Sequence, residues 1–399
     1  MSHRLIARNP DLQRLRDEGY NIGIVNGYLL VRDVPYVKPS REVGLGVLAT
    51  TLNLQGDTTR TPDTHVALWV GDPPCNSQGS PLAGLSDVGQ HPKIAEGLVV
   101  RMSFSQKPVQ GYQDYYLKMT TYVHIVEDQA RALDPSATAR TFPVVTLEEE
   151  ESVFCYLDTA SSRSGIVAIS KKLERGRIAI VGLGGSGSYV LDHIAKTPVG
   201  EVHLFDGDTF LQHNAFRCPG APSSDELREH PSKVAWFTRI YSRMRRKIIA
   251  HPQFIDETNV SNLSGMDFVF LCLDKGAPRR IVSDYLIENK IPFIDVGMGV
   301  LPVAESALGG LVRVTTCTPT FTAHLSKRVS FAEAADDEYA RNIQISDLNA
   351  LSAALAVIKW KKLWGFYEDS EGEHNSTYGI TGNLLTNDDL PSTAQGDPT

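Results

Sequence analysis

Apolar residues follow two rhythms along this chain. Up to about residue 150, short β-prone runs alternate with polar turns. Tyr28-Leu29-Leu30-Val31 is closed by the charged pair Arg32-Asp33, and His65-Val66-Ala67-Leu68-Trp69-Val70 by Gly71-Asp72-Pro73-Pro74. Over 113–131, Tyr116, Met119, Tyr122, Val123 and Val126 recur at helical spacing and predict a helix. From Arg177 the rhythm changes. Ile178-Ala179-Ile180-Val181 ends in glycines, residues 188–196 have helical periodicity, and Val202-His203-Leu204-Phe205 ends at Asp206. Residues 233–243, 268–273, 277–290 and 292–296 then read as helix, strand, helix and strand.

Strands alternating with helices predict parallel βαβ units whose crossovers cover the sheet faces. The expected fold is therefore α/β: a Rossmann-like open, mostly parallel sheet with helices on both faces, behind an α+β N-terminal domain. The expected division is 1–150 for that first domain, 151–325 for the nucleotide-binding domain and 326–388 for an extension on its core. The extension contains an apolar helix over 348–363, and the polar segment 389–399 predicts a disordered tail.

Composition narrows the function classes. The chain has 399 residues, 42% of them hydrophobic and 22% charged, with net charge −8 and pI near 5.8. That balance offers no general attraction to nucleic acid or an anionic membrane. No run of about 18 apolar residues predicts a membrane span. The start Met1-Ser2-His3-Arg4 lacks the apolar core of a secretory signal. Five scattered cysteines (Cys75, Cys155, Cys218, Cys272, Cys317) form no Cys-x-x-Cys pair, which predicts reduced thiols in the cytoplasm and no zinc site.

Gly182-Leu183-Gly184-Gly185-Ser186-Gly187 fits G-x-G-x-x-G and lies between a strand and a helix. Glycines there let the backbone turn tightly and approach a phosphate, whose charge the helix N-terminus favours. The bland alternative is a tight turn. Asp206, at the end of the next strand, stands where an acid can hydrogen-bond ribose hydroxyls. Further charged groups follow: Asp208, then Asn214 and Arg217 three apart, Lys233 at a helix start, and Asp274 at a strand end. Carboxyl ends of parallel strands face the ligand crevice, so this set offers cations for a triphosphate and a carboxylate for Mg²⁺. Taken singly, Arg217 and Lys233 also read as surface charges, Asp274 as a helix N-cap, Asp208 as a turn with Gly207, and Asn214 as a loop residue.

In order, Val181-Gly182-Leu183-Gly184-Gly185-Ser186-Gly187-Ser188, Asp206-Gly207-Asp208, Asn214-Ala215-Phe216-Arg217, Ser232-Lys233-Val234-Ala235 and Leu273-Asp274 resemble the successive motifs of ThiF/MoeB/HesA-type adenylyltransferases, relatives of the ubiquitin-activating enzymes. The resemblance covers about 150 residues. It implies ATP-dependent adenylation of the C-terminal carboxylate of a small ubiquitin-like or sulfur-carrier protein ending in glycine. By motif, Asp206 would bind ribose, Asn214, Arg217 and Lys233 the triphosphate, and Asp274 Mg²⁺. The family also brings an arginine to the γ-phosphate, often across a dimer interface; Arg163, ahead of the first strand, is the nearest candidate. A homodimer is implied on the same ground.

The chain departs from that family at three places. Cys218 stands where a glutamine is usual after Arg217, Lys275 replaces the asparagine that commonly follows Asp274, and the zinc-binding Cys-x-x-Cys pairs are missing. For a thioester step, Cys317 is the candidate nucleophile, with buried structure as its alternative and Thr315, Thr316 or Thr318 as oxyester candidates. Cys272 reads as core, Cys218 could line the site, Cys75 falls in a turn, and His213 adjoins Asn214. The basic run 243–247 reads as a solvated helix end or a nucleic-acid patch. Two other functions remain open on sequence alone: a nicotinamide-dependent oxidoreductase, and a non-catalytic ATP-binding adaptor.

Overall fold

The computed structural model describes residues 2–89, 93–148, 152–174, 176–303, 306–331 and 343–390. The chain divides into two compact units, one of Met1–Val145 with Ser162–Ser164, the other of Thr146–Ser161 with Gly165–Thr399.

The first unit opens with α1 (Ser2–Arg8) and α2 (Pro10–Asp17). Its sheet contains β1 (Asn21–Val25), β2 (Tyr28–Val37), β3 (Val43–Thr51), β4 (Val66–Val70), β5 (Leu85–Asp87) and β6 (Met102–Ser105), in the order β1-β2-β3-β4-β6-β5. Every pairing is antiparallel. The expected α+β domain is thus mostly antiparallel β with one long helix, α3 (Tyr115–Arg131). Asp114 caps α3 by accepting from Leu117 N–H at 2.7 Å. Met119, Tyr122, Val123 and Val126 pack in one core cluster with Tyr36, Trp69 and Phe104 of the sheet. Arg32-Asp33 does not end a strand: β2 runs through it as a bulge, with the register shifting between Val31 and Val34. Asp33, at φ 58°, takes the bend and accepts from Asn21 Nδ2 at 2.6 Å.

The second unit is α/β around one eight-stranded sheet. It runs through β7 (Arg177–Val181), α4 (Gly185–Ala195), β8 (Glu201–Phe205), α5 (Lys233–Tyr241), β9 (Ile248–His251), β10 (Phe268–Leu271) and α6 (Gly276–Glu288). There follow β11 (Phe293–Val303), β12 (Ala307–Cys317), α7 (Ser346–Leu363), β13 (Asn375–Gly379) and β14 (Leu384–Asp388). The strand order is β9-β8-β7-β10-β11-β12-β13-β14. Pairing is parallel as far as β11 and antiparallel beyond it. The sheet is therefore mixed, correcting the expectation of a mostly parallel one. Alternate residues of the buried strands serve opposite faces. Ile178 and Ile180 pack with α4, α5 and α7, while Ala179 and Val181 pack with Val282 and Leu286 of α6.

The basic run 243–247 also differs from expectation. α5 stops at Tyr241, and Arg245 is fully buried, donating to the carbonyls of Thr197 (3.2 Å), Val199 (2.5 Å) and Arg246 (3.1 Å). Arg246 donates to the carbonyls of Leu147, Ser152 and Phe154. These two guanidiniums satisfy backbone oxygens that no strand or helix engages, so Arg245 and Arg246 are structural, while Arg243, next to the C-cap of α5, and Lys247 are exposed. No helix among the described residues is long and apolar enough to cross a membrane. Of the expected tail, 391–399 lies outside the described residues.

Candidate functional site

Parallel register sets the site. Val181 is aligned with both Phe205 and Leu271, so the loops after β7, β8 and β10 leave the sheet at one end. There a cavity of about 540 Å³ opens, within the usual range for small-molecule sites.

The glycine loop forms one wall, and its glycines are required for different reasons. Gly182 has φ +91°, and a Cβ there would stand 2.5 Å from the Cys272 carbonyl oxygen of the neighbouring strand end. A Cβ on Gly187 would collide with the Gly182 carbonyl oxygen, and one on Gly185 with the Asn349 side chain. Gly184 differs: nothing lies within 4 Å of its Cβ position. It is the N-cap residue of α4 and brings no capping side chain. The first amides of the helix, which have no intrahelical acceptor, are left for a ligand.

Asp206 follows β8 directly. Its carboxylate, 8% exposed, accepts from Leu183 N–H at 2.6 Å and Asp208 N–H at 2.8 Å, which ties it to the glycine loop. Burial raises its pKa, opposed by the Lys233 charge and these two amides. Lys233 is the first residue of α5, behind the N-cap Ser232. It is 6% exposed, with Nζ 2.6 Å from Asp208 and 3.6 Å from Asp206. Arg217 lines the same cavity, and its Nε is buried without a hydrogen-bond partner among the described residues. Such an orphan donor is uncommon in a folded protein and marks a place for an acceptor. Asp274 lines the cavity at the exit of β10. It does not cap α6; the N-cap residue is Lys275, without a side-chain hydrogen bond.

The cavity lining thus brings together Gly182, Gly184, Gly185, Asp206, Asp208, Arg217, Lys233 and Asp274 from the sequence-derived set. Four members fall elsewhere, the first being Gly187, which packs behind the loop on the Gly182 carbonyl. Asn214 is 4% exposed and spends its side-chain oxygen on Leu211 N–H at 2.8 Å, bracing the turn that carries Arg217. Arg163 closes the short helix Thr159–Arg163 in the segment grouped with the first unit. Cys317 is 1% exposed, paired with Phe293 in the sheet, and burial pushes its thiol up to about 12. A covered, protonated thiol is a poor nucleophile. Thr315 and Thr316 are equally buried, Thr315 bonding Asn375 at 2.8 Å. Cys218 is buried with its thiol raised to about 11, and Cys272 is raised by burial too.

Sequence reasoning missed a second charged group, which lies behind two arginines of the cavity lining. Asp295, fully buried in β11, lies 2.6 Å from Arg313 Nη2 and 3.2 Å from Arg279 Nε. Both arginines line the cavity, as do Lys275 and Arg328. A carboxylate inside an apolar strand was the available signal, since a buried charge requires a partner. The lining holds six basic residues (Arg217, Lys233, Lys275, Arg279, Arg313, Arg328) and three acids (Asp206, Asp208, Asp274), with Asp295 paired to Arg279 and Arg313, and Asp388 and Asp389 to Arg328. The positive groups with no such partner behind the lining are concentrated at Arg217 and Lys275. Among the described residues, no group of three or more His, Cys, Asp or Glu is arranged to hold a metal by itself.

Two family models match the chain in succession, meeting near residue 160, past the boundary at Val145 between the compact units. Residues 10–159 match the model described as a domain of unknown function (DUF6791), and residues 161–358 match that of the ThiF family. The adenylyltransferase and sulfurtransferase UBA4 of Saccharomyces cerevisiae (strain YJM789) is 26% identical over 148 residues, 37% of this chain and 31% of that protein. Ubiquitin-like modifier-activating enzyme 5 of Drosophila mojavensis is 26% identical over 169 residues, 39% of this chain and 40% of that protein. The chain thus spans 31% to 40% of the length of these relatives. The crystal structure of E. coli MccB covers 59% of this chain and 68% of its own at 18% identity, with a TM-score of 0.46. Members of the ThiF family are adenylyltransferases, and this chain carries a ThiF family domain over residues 161–358, preceded by a DUF6791 domain over 10–159.

Proposed function

We propose that the second unit binds ATP with Mg²⁺ and adenylates the C-terminal carboxylate of a small ubiquitin-like or sulfur-carrier protein. The observation that carries this reading is the buried, unpartnered Arg217 Nε in the same cavity as Lys233 and the uncapped N-terminus of α4. In adenylation a carboxylate displaces pyrophosphate from the α-phosphate, so two anions must approach each other. Fixed positive groups at that point lower the barrier by neutralising charge as it develops. Gly184 and the following amides would hold phosphate oxygens, Arg217 and Lys233 would neutralise them, and Asp206 would take the ribose hydroxyls. Its lone pairs beyond the Leu183 and Asp208 amides remain for that purpose.

Asp274 fits a magnesium ligand. It lines the cavity, and its carboxylate accepts no hydrogen bond from a described residue. One carboxylate together with phosphate oxygens and water is the usual Mg²⁺ environment, and the ion would add positive charge beside the triphosphate. The reaction proposed here stops at the adenylate, because Cys317 is buried away from the cavity. A homodimer, with Arg163 contributing to the triphosphate site, belongs to the same proposal. The cluster of cations also favours a triphosphate over a nicotinamide coenzyme, which needs few groups beyond the glycine loop and ribose acid.

The test is ATP–pyrophosphate exchange with the full chain and small glycine-terminated proteins encoded beside it. Exchange that depends on the added protein, and is lost in Asp274→Ala, is expected. Saturable NAD(H) binding that ATP cannot displace would overturn the reading.

A further inference from the structure

We propose that His324 and Arg328 compete for the carboxylate of Asp389, so that a proton arriving on His324 frees Arg328 to the cavity. The competition belongs to the fold alone, while its effect on a ligand rests on the triphosphate reading above. Arg328 lines the cavity and closes the short helix Leu325–Arg328. Its Nε lies 2.7 Å from Asp389 Oδ2, and its Nη1 3.4 Å from Asp388 Oδ2 at the end of β14.

Three rings pack together within reach of this ion pair. The Phe321 centroid lies 4.8 Å from that of His324 and 4.3 Å from that of His374, and the two imidazoles are 5.7 Å apart. His324 is 5% exposed, and its Nε2 meets the Thr316 carbonyl at 3.0 Å. A carbonyl only accepts, so Nε2 carries the hydrogen and Nδ1 the lone pair. That Nδ1 is buried without a hydrogen-bond partner among the described residues, as is Nδ1 of His374. A basic nitrogen left open in the interior is a place for a proton.

The surrounding charges decide which ring responds. Asp389, His374 and Arg328 act on His324. Lys359, Asp369 and the backbone of Asp389 and Gly372 act on His374, with His324 across the ring contact. Burial holds both imidazoles below the usual histidine range, so both are neutral at about pH 7. Asp369 is already bound to Lys359 at 2.9 Å and Lys362 at 3.3 Å, so a proton on His374 would find no free carboxylate. Asp389 is held by Arg328, whose side chain is 34% exposed. A guanidinium that reaches water loses little on leaving such a pair, whereas a buried imidazolium without a counter-ion is costly. Asp389 therefore passes to His324 when that ring charges, and Arg328 turns to a polyanion in the cavity. The linkage is reciprocal: triphosphate on Arg328 releases Asp389, favours the charged ring and draws in a proton.

Imidazole resonances of the full chain, followed through pH, test the competition without any ligand. Arg328→Gln leaves Asp389 to His324 and is expected to raise the midpoint of His324, and Asp389→Asn to lower it. A midpoint that moves in neither variant overturns the competition. Calorimetric titration with inorganic triphosphate then tests the release. His324→Gln serves as the reference, because its amide keeps a donor for the Thr316 carbonyl. Protonation of the triphosphate itself is common to both chains, so the ratio of their affinities reports the ring. From about pH 7.5 to about 5.5 the parent is expected to gain roughly 3- to 10-fold over His324→Gln, the yield of one linked proton, and to take up more protons on binding. A ratio that stays constant with pH overturns the release of Arg328. A parent that binds no triphosphate at either pH overturns the nucleotide site and the release together, while the resonances still decide the competition.

Discussion

Arg217 and Lys233 line the same cavity with opposite relations to the fold. The Arg217 guanidinium donates no hydrogen bond to a described residue, whereas Lys233 is clamped between two carboxylates. Their substitutions should therefore separate function from stability. Arg217→Ala is expected to lower the exchange rate by about 10²–10³-fold while changing unfolding free energy by less than about 0.5 kcal/mol. Arg217→Lys should restore little, because an ammonium cannot present the planar donor fork. Lys233→Met should abolish exchange and also destabilise, by about 3 kcal/mol. That lies at the low end for a buried pair, since Asp206 loses its cation in the interior while Asp208 is half-exposed. Parallel urea titrations and exchange assays of the three variants check this. Equal loss of stability in Arg217→Ala and Lys233→Met would contradict the assignment.

At the scale of elements, the glycine loop offers a sharper separation. Gly187→Ala drives a methyl into the Gly182 carbonyl and should cost about 1–3 kcal/mol or more of stability. Gly184→Ala meets nothing within 4 Å and should leave the apo melting temperature unchanged while weakening ATP binding. Differential scanning calorimetry with and without ATP distinguishes the two; equal behaviour would show that Gly184 does not face the ligand. This loop, β8 and Asp206 were legible in the sequence because strand, turn and helix there each carry local signatures. The antiparallel half of the sheet was not. Residues 292–296 read as a short strand, but β11 continues through Gly297 and Gly299 to Val303, where glycines mask the apolar alternation. Arg245 and Arg246 were misread for a different reason. Their partners are carbonyls up to 99 residues away in sequence, which no local pattern reveals.

Over the whole molecule, the first unit yields least to sequence reading, because its site-like chemistry is buried in a fold of unremarkable strands. Lys118 sits mid-helix on α3, where a lysine normally faces water. It is instead fully buried, donating to Thr50 Oγ1 at 2.6 Å and to the Thr64 carbonyl at 2.8 Å. Burial lowers its pKa from 10.5 to about 8, partly offset by Asp63. The folded chain therefore releases this proton near pH 8, while the unfolded chain holds it until about 10.5. Between those values the unfolded state binds more protons, so stability should rise with pH. The full contribution is about 3 kcal/mol, present above pH 10.5 and lost as pH falls through 8. Tyr112, Tyr115 and Tyr122 act in the opposite sense: burial raises them above 10.0, so their share of stability is lost as pH climbs beyond that value. Cys75 opposes the lysine as well, because burial raises its thiol above 9.0; in a Cys75→Ala background the lysine is isolated between about pH 8 and 9.5, and that background serves as the parent chain. In that window the transition reported by Trp69, which packs in the same cluster as α3, should move to higher urea in the parent chain and stay flat in Lys118→Met. Trp236, Trp360 and Trp364 lie in the second unit, so Trp236→Phe, Trp360→Phe and Trp364→Phe together leave that signal to the first. An equal rise in Lys118→Met would assign the proton to another group and remove the buried ammonium from the account of this unit's stability.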